Sequence, residues 1–283
     1  MDKQLQDKIR RGIKLLQSAA KIAGEHGQPL EICYSGGKDS DVILQLAREA
    51  GIDYRAIYKN TTIDPPRTIA HARANGVEIM QPKKNFRQLI EEYGMPNRFY
   101  RFCCSVLKEY KILDYAVVGI RRDESQKRAE RYKEPEMCRT YNKNDKVRQY
   151  LPILEWSAAD VAAFVQDRGI TCHPLYYDAG GQFHPERRLG CMCCPLASIS
   201  KRIEQFKQWP LMVRYYTRAA IAYWQKHPDV ENKRRHKNPY EWVTSEIFCD
   251  GKKDLFVDKF GATLFDDGID CRQFLMDFFK VEL

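Results

Sequence analysis

The chain has 283 residues, with 47 Lys+Arg against 38 Asp+Glu and a formal charge of +9. Hydrophobic residues make up 43% and charged residues 30%, values that exclude a disordered or collagen-like chain. No run of 18 apolar residues occurs, and the N-terminus MDKQLQDKIRRGIKLL lacks the apolar core and cleavage site of an export signal, so a cytoplasmic protein with no membrane partner is expected.

Leu5, Ile9, Ile13, Leu16, Ala20 and Ala23 recur at helical spacing and predict a first helix that stops before Gly27 and Pro29. Leu30 to Tyr34 reads as a strand, stopped by Ser35-Gly36-Gly37. A helix follows through Val42, Ile43, Leu46 and Ala47 and closes at Gly51. Ile52 to Tyr58 reads as a strand, Pro65 to Asn75 as a helix and Val77 to Met80 as a strand. Tyr115 to Ile120 is apolar throughout, as a strand buried on both faces should be. Leu151 to Leu154 reads as one more strand, and Ser157 to Asp160 as the cap of the next helix. Strands alternating with helices predict an α/β fold, a parallel sheet flanked by helices. From about residue 198 the alternation fades, and Ile203, Phe206, Trp209, Leu211, Tyr215, Ile221 and Trp224 mark helical stretches. The expected organisation is an α/β domain over 1–197 and a mainly helical region over 198–283.

The sharpest motif is Ser35-Gly36-Gly37-Lys38-Asp39-Ser40, between a strand and a helix. Two glycines let the backbone turn tightly and aim its N–H groups at an anion, and the helix start adds its positive end. Lys38 would neutralise phosphate charge, Asp39 would help hold Mg²⁺, and the two serines can donate hydroxyl hydrogen bonds. The spacing is not that of the G-x-x-x-x-G-K-[ST] loop. A plain Gly-Gly turn would explain the glycines but not the four polar residues around them.

Ten cysteines are many for a chain without an export signal. Five fall in two knots, Cys103-Cys104 and Cys191-Met192-Cys193-Cys194. Four thiolates converging from two loops would make an Fe–S or a Zn site, and Cys-x-x-Cys is a strong metal spacing. Neighbouring Arg101, Lys108, Arg187 and Arg188 are expected to lower the thiol pKa values. Cys249 and Cys271 read as packing thiols. The histidines at 26, 71, 173, 184, 227 and 236 show no metal spacing and read as structural or exposed.

SGGKDS resembles the pyrophosphate loop of the N-type ATP pyrophosphatases, which cleave ATP between the α and β phosphates and adenylylate a substrate. The resemblance implies an adenine nucleotide alpha hydrolase-like fold, with Ser35, Gly36, Gly37, Lys38, Asp39 and Ser40 around the pyrophosphate. The paired cysteine motifs narrow it to the phosphoadenosine phosphosulfate (PAPS) reductase family. By that resemblance the ligands of a [4Fe–4S] cluster, or of zinc as the alternative, would be Cys103, Cys104, Cys191 and Cys194, with Cys193 left over. Gly119-Ile120-Arg121-Arg122-Asp123-Glu124-Ser125-Gln126-Lys127-Arg128 is similar to a family segment whose arginines face phosphates or sulfate. Asn60-Thr61-Thr62 departs from the Asp-Thr-Gly that the family often has there, the resemblance implying a nucleotide contact for Thr61, and His173-Pro174-Leu175-Tyr176 resembles the lead-in to the second knot. The similarity runs from about residue 28 to 197.

Two departures steer the reading. The family's sulfonucleotide reductases usually carry a degenerate phosphate loop, and this one is complete. They also use a C-terminal Glu-Cys-Gly-Leu-His motif, which neither Cys249 in Phe-Cys-Asp-Gly nor Cys271 in Asp-Cys-Arg-Gln matches. The expected function is therefore an ATP pyrophosphatase that binds Mg·ATP at 35–40, adenylylates an acceptor and supports iron–sulfur-dependent sulfur transfer. Lys38, Asp39, Arg121 and Arg122 are its expected catalytic residues. A tRNA or DNA acceptor is suggested by residues 121–148, with ten Lys/Arg against six Asp/Glu and with Tyr132 and Tyr141 interleaved, and by the run Lys233 to Lys237. A sulfur-donor protein such as a cysteine desulfurase would be a partner. The competing readings are a PAPS or adenylyl sulfate reductase that makes sulfite, and a non-catalytic nucleotide or nucleic-acid sensor.

Overall fold

The computed structural model describes residues 2–141, 144–228, 236–260 and 268–283. They form two compact units, 1–60, 65–81 and 107–190 in one and 61–64, 82–106 and 191–283 in the other.

In the first unit, helix α1 (Lys3–Glu25) starts where the Asp2 carboxylate accepts from the Leu5 N–H, and buries Leu5, Ile9, Leu16, Ala19 and Ala23 on one stripe. Strand β1 (Leu30–Tyr34) leads through the glycine turn into α2 (Lys38–Ala50), closed by Gly51 in the left-handed region at φ 61°. β2 (Tyr54–Lys59), α3 (Thr68–Ala74), β3 (Glu78–Met80) and β4 (Tyr115–Val117) follow. After a short helix α6 (Gln126–Arg131) come β5 (Glu136–Tyr141), β6 (Asp145–Tyr150) and α7 (Ala158–Asp167). The Ser157 hydroxyl and the Asp160 carboxylate satisfy each other's backbone N–H groups at the start of α7, the reciprocal cap expected from the sequence.

The sheet order is β3-β2-β1-β4-β6-β5, parallel except for the antiparallel edge pair β5–β6. The α/β fold expected from the sequence is therefore present. Leu151 to Leu154, however, is a turn that follows β6, and the two strands lie before it. The strand expected at 115–120 ends at Val117, because the backbone leaves the sheet toward the 122–124 turn.

The period of two gives the sheet two unlike faces. Leu30, Ile32, Tyr34, Tyr58, Val117 and Tyr150 belong to the apolar core with Leu16 of α1, Leu46 of α2 and Phe164 of α7. The opposite face carries Glu31 and Cys33 of β1, Lys59 of β2, Gln149 of β6 and Arg139 and Tyr141 of β5, and lines a cavity.

The second unit is helical. In α4 (Phe86–Tyr93), Phe86 lies 5.5 Å from the ring of Tyr216 and 6.4 Å from that of Tyr215, both on α9 (Leu211–Lys226). α5 (Phe102–Leu107) carries the first cysteine pair. In α10 (Pro239–Cys249), Phe248 meets Phe260 of α11 (Lys253–Phe260) and Phe274, Phe278 and Phe279 of α12 (Cys271–Phe279). α8 (Ile199–Gln208) adds Phe206, 5.4 Å from Tyr216. Among the described residues no helix is long and apolar enough to cross a membrane. Lys233, Arg234 and Arg235 of the second basic run lie outside the described residues.

Candidate nucleotide and thiol sites

Ser35 to Ser40 link the carboxyl end of β1 to the amino end of α2, where a parallel sheet presents ligands to backbone N–H groups. Gly36 sits at φ 77°, and a Cβ there would lie 2.7 Å from Thr68 Cγ2, so the turn requires glycine twice over. Inside the loop the Ser40 hydroxyl donates to the Gly37 carbonyl at 2.6 Å, and the Gly37 N–H reaches Ser35 Oγ at 3.4 Å. Gly119 lets the next segment approach, since a Cβ there would lie 2.9 Å from the Asp39 carbonyl oxygen.

Lys38 is 2% exposed, its ammonium held 3.1 Å from Asp39 Oδ2 and 3.3 Å from the Arg187 carbonyl, and 5.3 Å above the Tyr176 ring. Arg121, 3% exposed, donates from Nε to Asp39 Oδ1 at 2.7 Å. Asp39 thus stands between two cations. Arg128 and Arg188 line the same cavity, and Arg128 pairs with Glu124. The Arg128 pKa is lowered, first by burial and then by the Arg188 charge beside it, so like charges converge where an anion would relieve them. Arg122 does not join them. Its Nε donates to the Tyr132 carbonyl at 2.9 Å, and it lines a separate groove beside Glu155 and Trp156.

The loop is braced from behind. Tyr34, just before it, donates to Asp41 Oδ1 at 2.5 Å, just after it, and His71 Nε2 meets the same oxygen at 2.9 Å. Burial raises the Asp41 pKa, which the hydrogen bond to His71 partly offsets. The cavity in front of the loop measures about 440 Å³, within the range of small-molecule sites.

The cysteines gather in the second unit. Cys103, Cys104, Cys191 and Cys194 are half-buried. The Cys103 thiol is pushed well above the ordinary range, first by its hydrogen bond with Cys104, then by burial and by the nearby charges of Cys104, Cys194 and Cys191. For Cys103 the direction is opposite to the lowering expected from neighbouring cations. Cys191 Sγ donates to Thr61 Oγ1 at 3.7 Å and to Asp64 Oδ1 at 3.6 Å, so Thr61 is found beside a thiol. Cys193 is 1% exposed at φ 53°, and its carbonyl accepts from the Tyr216 hydroxyl. Among the described residues no three His, Cys, Asp or Glu side chains already stand in metal-holding geometry. The donor set itself, four thiols in one unit with Cys103 interacting with the other three, suits an iron–sulfur cluster or zinc.

Sequence reasoning missed Arg188 as a cavity residue, and it missed Glu31, Lys59, Arg139 and Gln149 on the sheet face. One signal was available: Glu31 interrupts an otherwise apolar strand, where a charge is seldom buried without a purpose.

A mostly parallel α/β sheet with a glycine turn leading from the carboxyl end of β1 into α2 is the arrangement of a nucleotide-binding class of protein. The chain belongs to the phosphoadenosine phosphosulfate reductase domain family, whose model matches residues 29–197. It is 28% identical to two uncharacterized proteins of Methanocaldococcus jannaschii, over 71% and 66% of this chain and 43% and 46% of theirs. The chain thus spans about half the length of these curated relatives. The adenosine 5′-phosphosulfate reductase of Streptomyces coelicolor is 26% identical over 64% of this chain and 76% of its own. Sulfate adenylyltransferase subunit 2 of Shewanella frigidimarina is 27% identical over 58% and 65%. Among solved structures, PAPS reductase of Candida auris aligns with a TM-score of 0.41 at 15% identity, over 68% of this chain and 96% of its own. The U34-tRNA thiolase of Methanococcus maripaludis, solved with its [4Fe–4S] cluster, aligns at 0.38 and 15%, over 78% and 81%.

Proposed function

We propose that this protein is an ATP pyrophosphatase that adenylylates an acceptor as the first half of a sulfur transfer. The observation that carries the reading is the complete phosphate loop, with Lys38, Asp39 and Arg121 in one hydrogen-bonded row and Arg128 and Arg188 on the same cavity. Ser35, Gly36, Gly37 and Ser40 surround the β and γ phosphates, with backbone N–H groups as donors and the Ser40 hydroxyl bracing the turn through the Gly37 carbonyl. An acceptor oxygen attacks the α-phosphorus, the bond to the bridging oxygen breaks, and pyrophosphate leaves with the electron pair. Its growing charge meets Lys38 and the arginines, donors already in place before reaction. Asp39 is the carboxylate through which Mg²⁺ would bind, and the ion would neutralise further phosphate charge. Arg122 acts from outside the cavity and anchors the 121–134 segment through the Tyr132 carbonyl.

A hydrosulfide, released by a thiol reductant from the persulfide of a donor such as a cysteine desulfurase, then attacks the adenylylated carbon. The C–S bond forms as C–O breaks and AMP leaves. Cys103, Cys104, Cys191 and Cys194 would hold a [4Fe–4S] cluster, which would offer a thiophilic iron to sulfur once one of the four thiolates gave way. A tRNA or DNA acceptor accords with the basic 121–148 segment, and a cytoplasmic location accords with ATP as substrate.

The test is an anaerobic assay of the purified protein with Mg·ATP, and separately with adenylylated sulfate. Pyrophosphate release stimulated by tRNA or DNA supports the reading. Sulfite without pyrophosphate overturns it in favour of the reductase, which the Streptomyces relative exemplifies. Absence of both products, with acceptor and sulfur donor supplied, overturns the enzyme.

A further inference from the structure

Four of the eight large hydrophobic side chains exposed among the described residues fall in one stretch of the second unit: Tyr93, Phe99, Tyr100 and Val106. Phe99 is the extreme, 92% exposed, with no ring contact among the described residues. The turn that carries it is nonetheless built. Asn97 Oδ1 accepts from the Phe99 N–H and from the Tyr100 N–H, both at 2.9 Å, and the Asn97 N–H donates to the Tyr100 carbonyl at 3.1 Å. An asparagine bonded to the backbone ahead of it fixes a turn locally. Tyr93 and Tyr100 both lean on the buried Phe102, their ring centroids 5.3 and 5.2 Å from its own. A fixed backbone thus holds one phenyl ring in water beside two anchored phenol rings.

The charge around these rings is positive. From Gly94 to Val106 the sequence has Arg98 and Arg101 and no carboxylate, and both arginines are exposed. Arg98 donates to the Ala197 carbonyl at 3.2 Å and lies 3.7 Å from Asp250. That carboxylate is already paired with the buried Arg202, so two arginines share it and a net positive charge remains. Rings flanked by cations suit a ligand with flat faces and negative charge. A second copy of this chain is a poor match, because a two-fold contact would set Arg98 and Arg101 against their own copies. An acidic peptide would pair with the arginines but gives the phenyl face nothing to stack on, whereas every nucleotide brings a π-face and a phosphate together.

We propose that residues 98–101 form a stacking platform for an unpaired base of a single-stranded nucleic acid, with Phe99 beneath the base and Arg98 and Arg101 on the flanking phosphates. This deepens the acceptor reading above and rests on it for the class of partner. The base held here is one that does not itself react. Phe99 precedes Cys103 by four residues, at most about 14 Å of chain, so the strand is held beside thiols of the same unit. Stacking is tolerant of base identity, and the platform therefore selects unpaired over paired nucleotides rather than one sequence over another.

Fluorescence anisotropy of the full-length protein with labelled single strands of about 12 nucleotides, as RNA and as DNA, and with the matching duplexes tests this. The wild type is expected to bind single strands more tightly than duplexes, and the RNA and DNA arms show which strand it takes. Phe99→Ala, which touches no core packing, should weaken the single strand about tenfold. Phe99→Trp should keep the affinity and add a fluorescence that the bound strand quenches. Arg98→Gln and Arg101→Gln should each lower the slope of log K against log salt by about 0.7. A folded Phe99→Ala that binds like the wild type overturns the proposal, as do duplexes bound as tightly as single strands, or a wild type that binds neither. A concentration-dependent dimer abolished by Phe99→Ala would overturn it in favour of a second copy. Pyrophosphate release from Mg·ATP in the same preparations tests the phosphate-loop reading separately. Its absence with single strands still bound sinks that reading and leaves the platform, and normal release without strand binding does the reverse.

Discussion

Asp39 accepts from Lys38 and Arg121 at once, so each cation is already aimed before a phosphate arrives. Lys38→Ala is expected to lower pyrophosphate release about 10²–10³-fold, the usual loss for a preorganised transition-state donor. Iron content should not change, because the thiols belong to the other unit. The Tyr34–Asp41 bond straddles the loop, and Tyr34→Phe is expected to cost about 1 kcal/mol in denaturant unfolding. It should also raise KM for ATP more than it lowers kcat, because it loosens the loop without removing a donor. An unchanged midpoint and KM would show that the glycine turn holds its shape unaided. For the thiols, Cys194→Ser is expected to lose bound iron and its visible absorption, whereas Cys193→Ser keeps both. Stoichiometric zinc in the wild type would refute the iron assignment.

Within the elements, α10 contains a carboxyl group whose burial shifts its titration. Glu246 has its pKa raised to about 7, mainly by desolvation, although Trp242 donates to it at 3.3 Å. The folded protein therefore binds this proton more tightly than the unfolded chain does. Its contribution to stability is full below the ordinary carboxylate range and is lost as pH rises from about 4.5 to about 7. Glu246→Gln is expected to flatten the difference between melting temperatures at pH 5 and pH 8, and to melt higher than the wild type at pH 8. Other strands and helices differ in how plainly the sequence announced them. β1 and α2 were legible, because Leu30 and Ile32 are apolar and Gly51 stops the helix. The β5–β6 hairpin was not. Cys138, Thr140, Lys146 and Arg148 are exposed on one face and Arg139, Tyr141 and Gln149 line the cavity on the other, which leaves no apolar period of two to read. The phosphate loop showed itself because its contacts are local, whereas Arg188 and Gln149 reach the cavity only through tertiary folding.

For the molecule as a whole, the organisation does not follow the order of the chain. Residues 61–64 and 82–106 pack with 191–283, so the helical unit collects pieces from within the α/β sequence. Phe86, Leu89, Ile90 and Phe102 are buried in it, and Phe86 meets Tyr215 and Tyr216. A chain ended at residue 197 would leave them uncovered, and is expected to aggregate or bind a hydrophobic dye more than the full chain. A soluble, dye-silent 1–197 fragment would contradict this. The same interleaving sets an order of events at the ribosome. At roughly 5–20 residues per second, α4 leaves the exit tunnel several seconds before α9 has been made. Through that interval its apolar face waits for partners more than a hundred residues away, and the four thiols cannot all be brought together until the second knot emerges. Contacts of such span close late and slowly, so the newly made chain has an α/β unit ready to fold and a helical unit that must wait for its end.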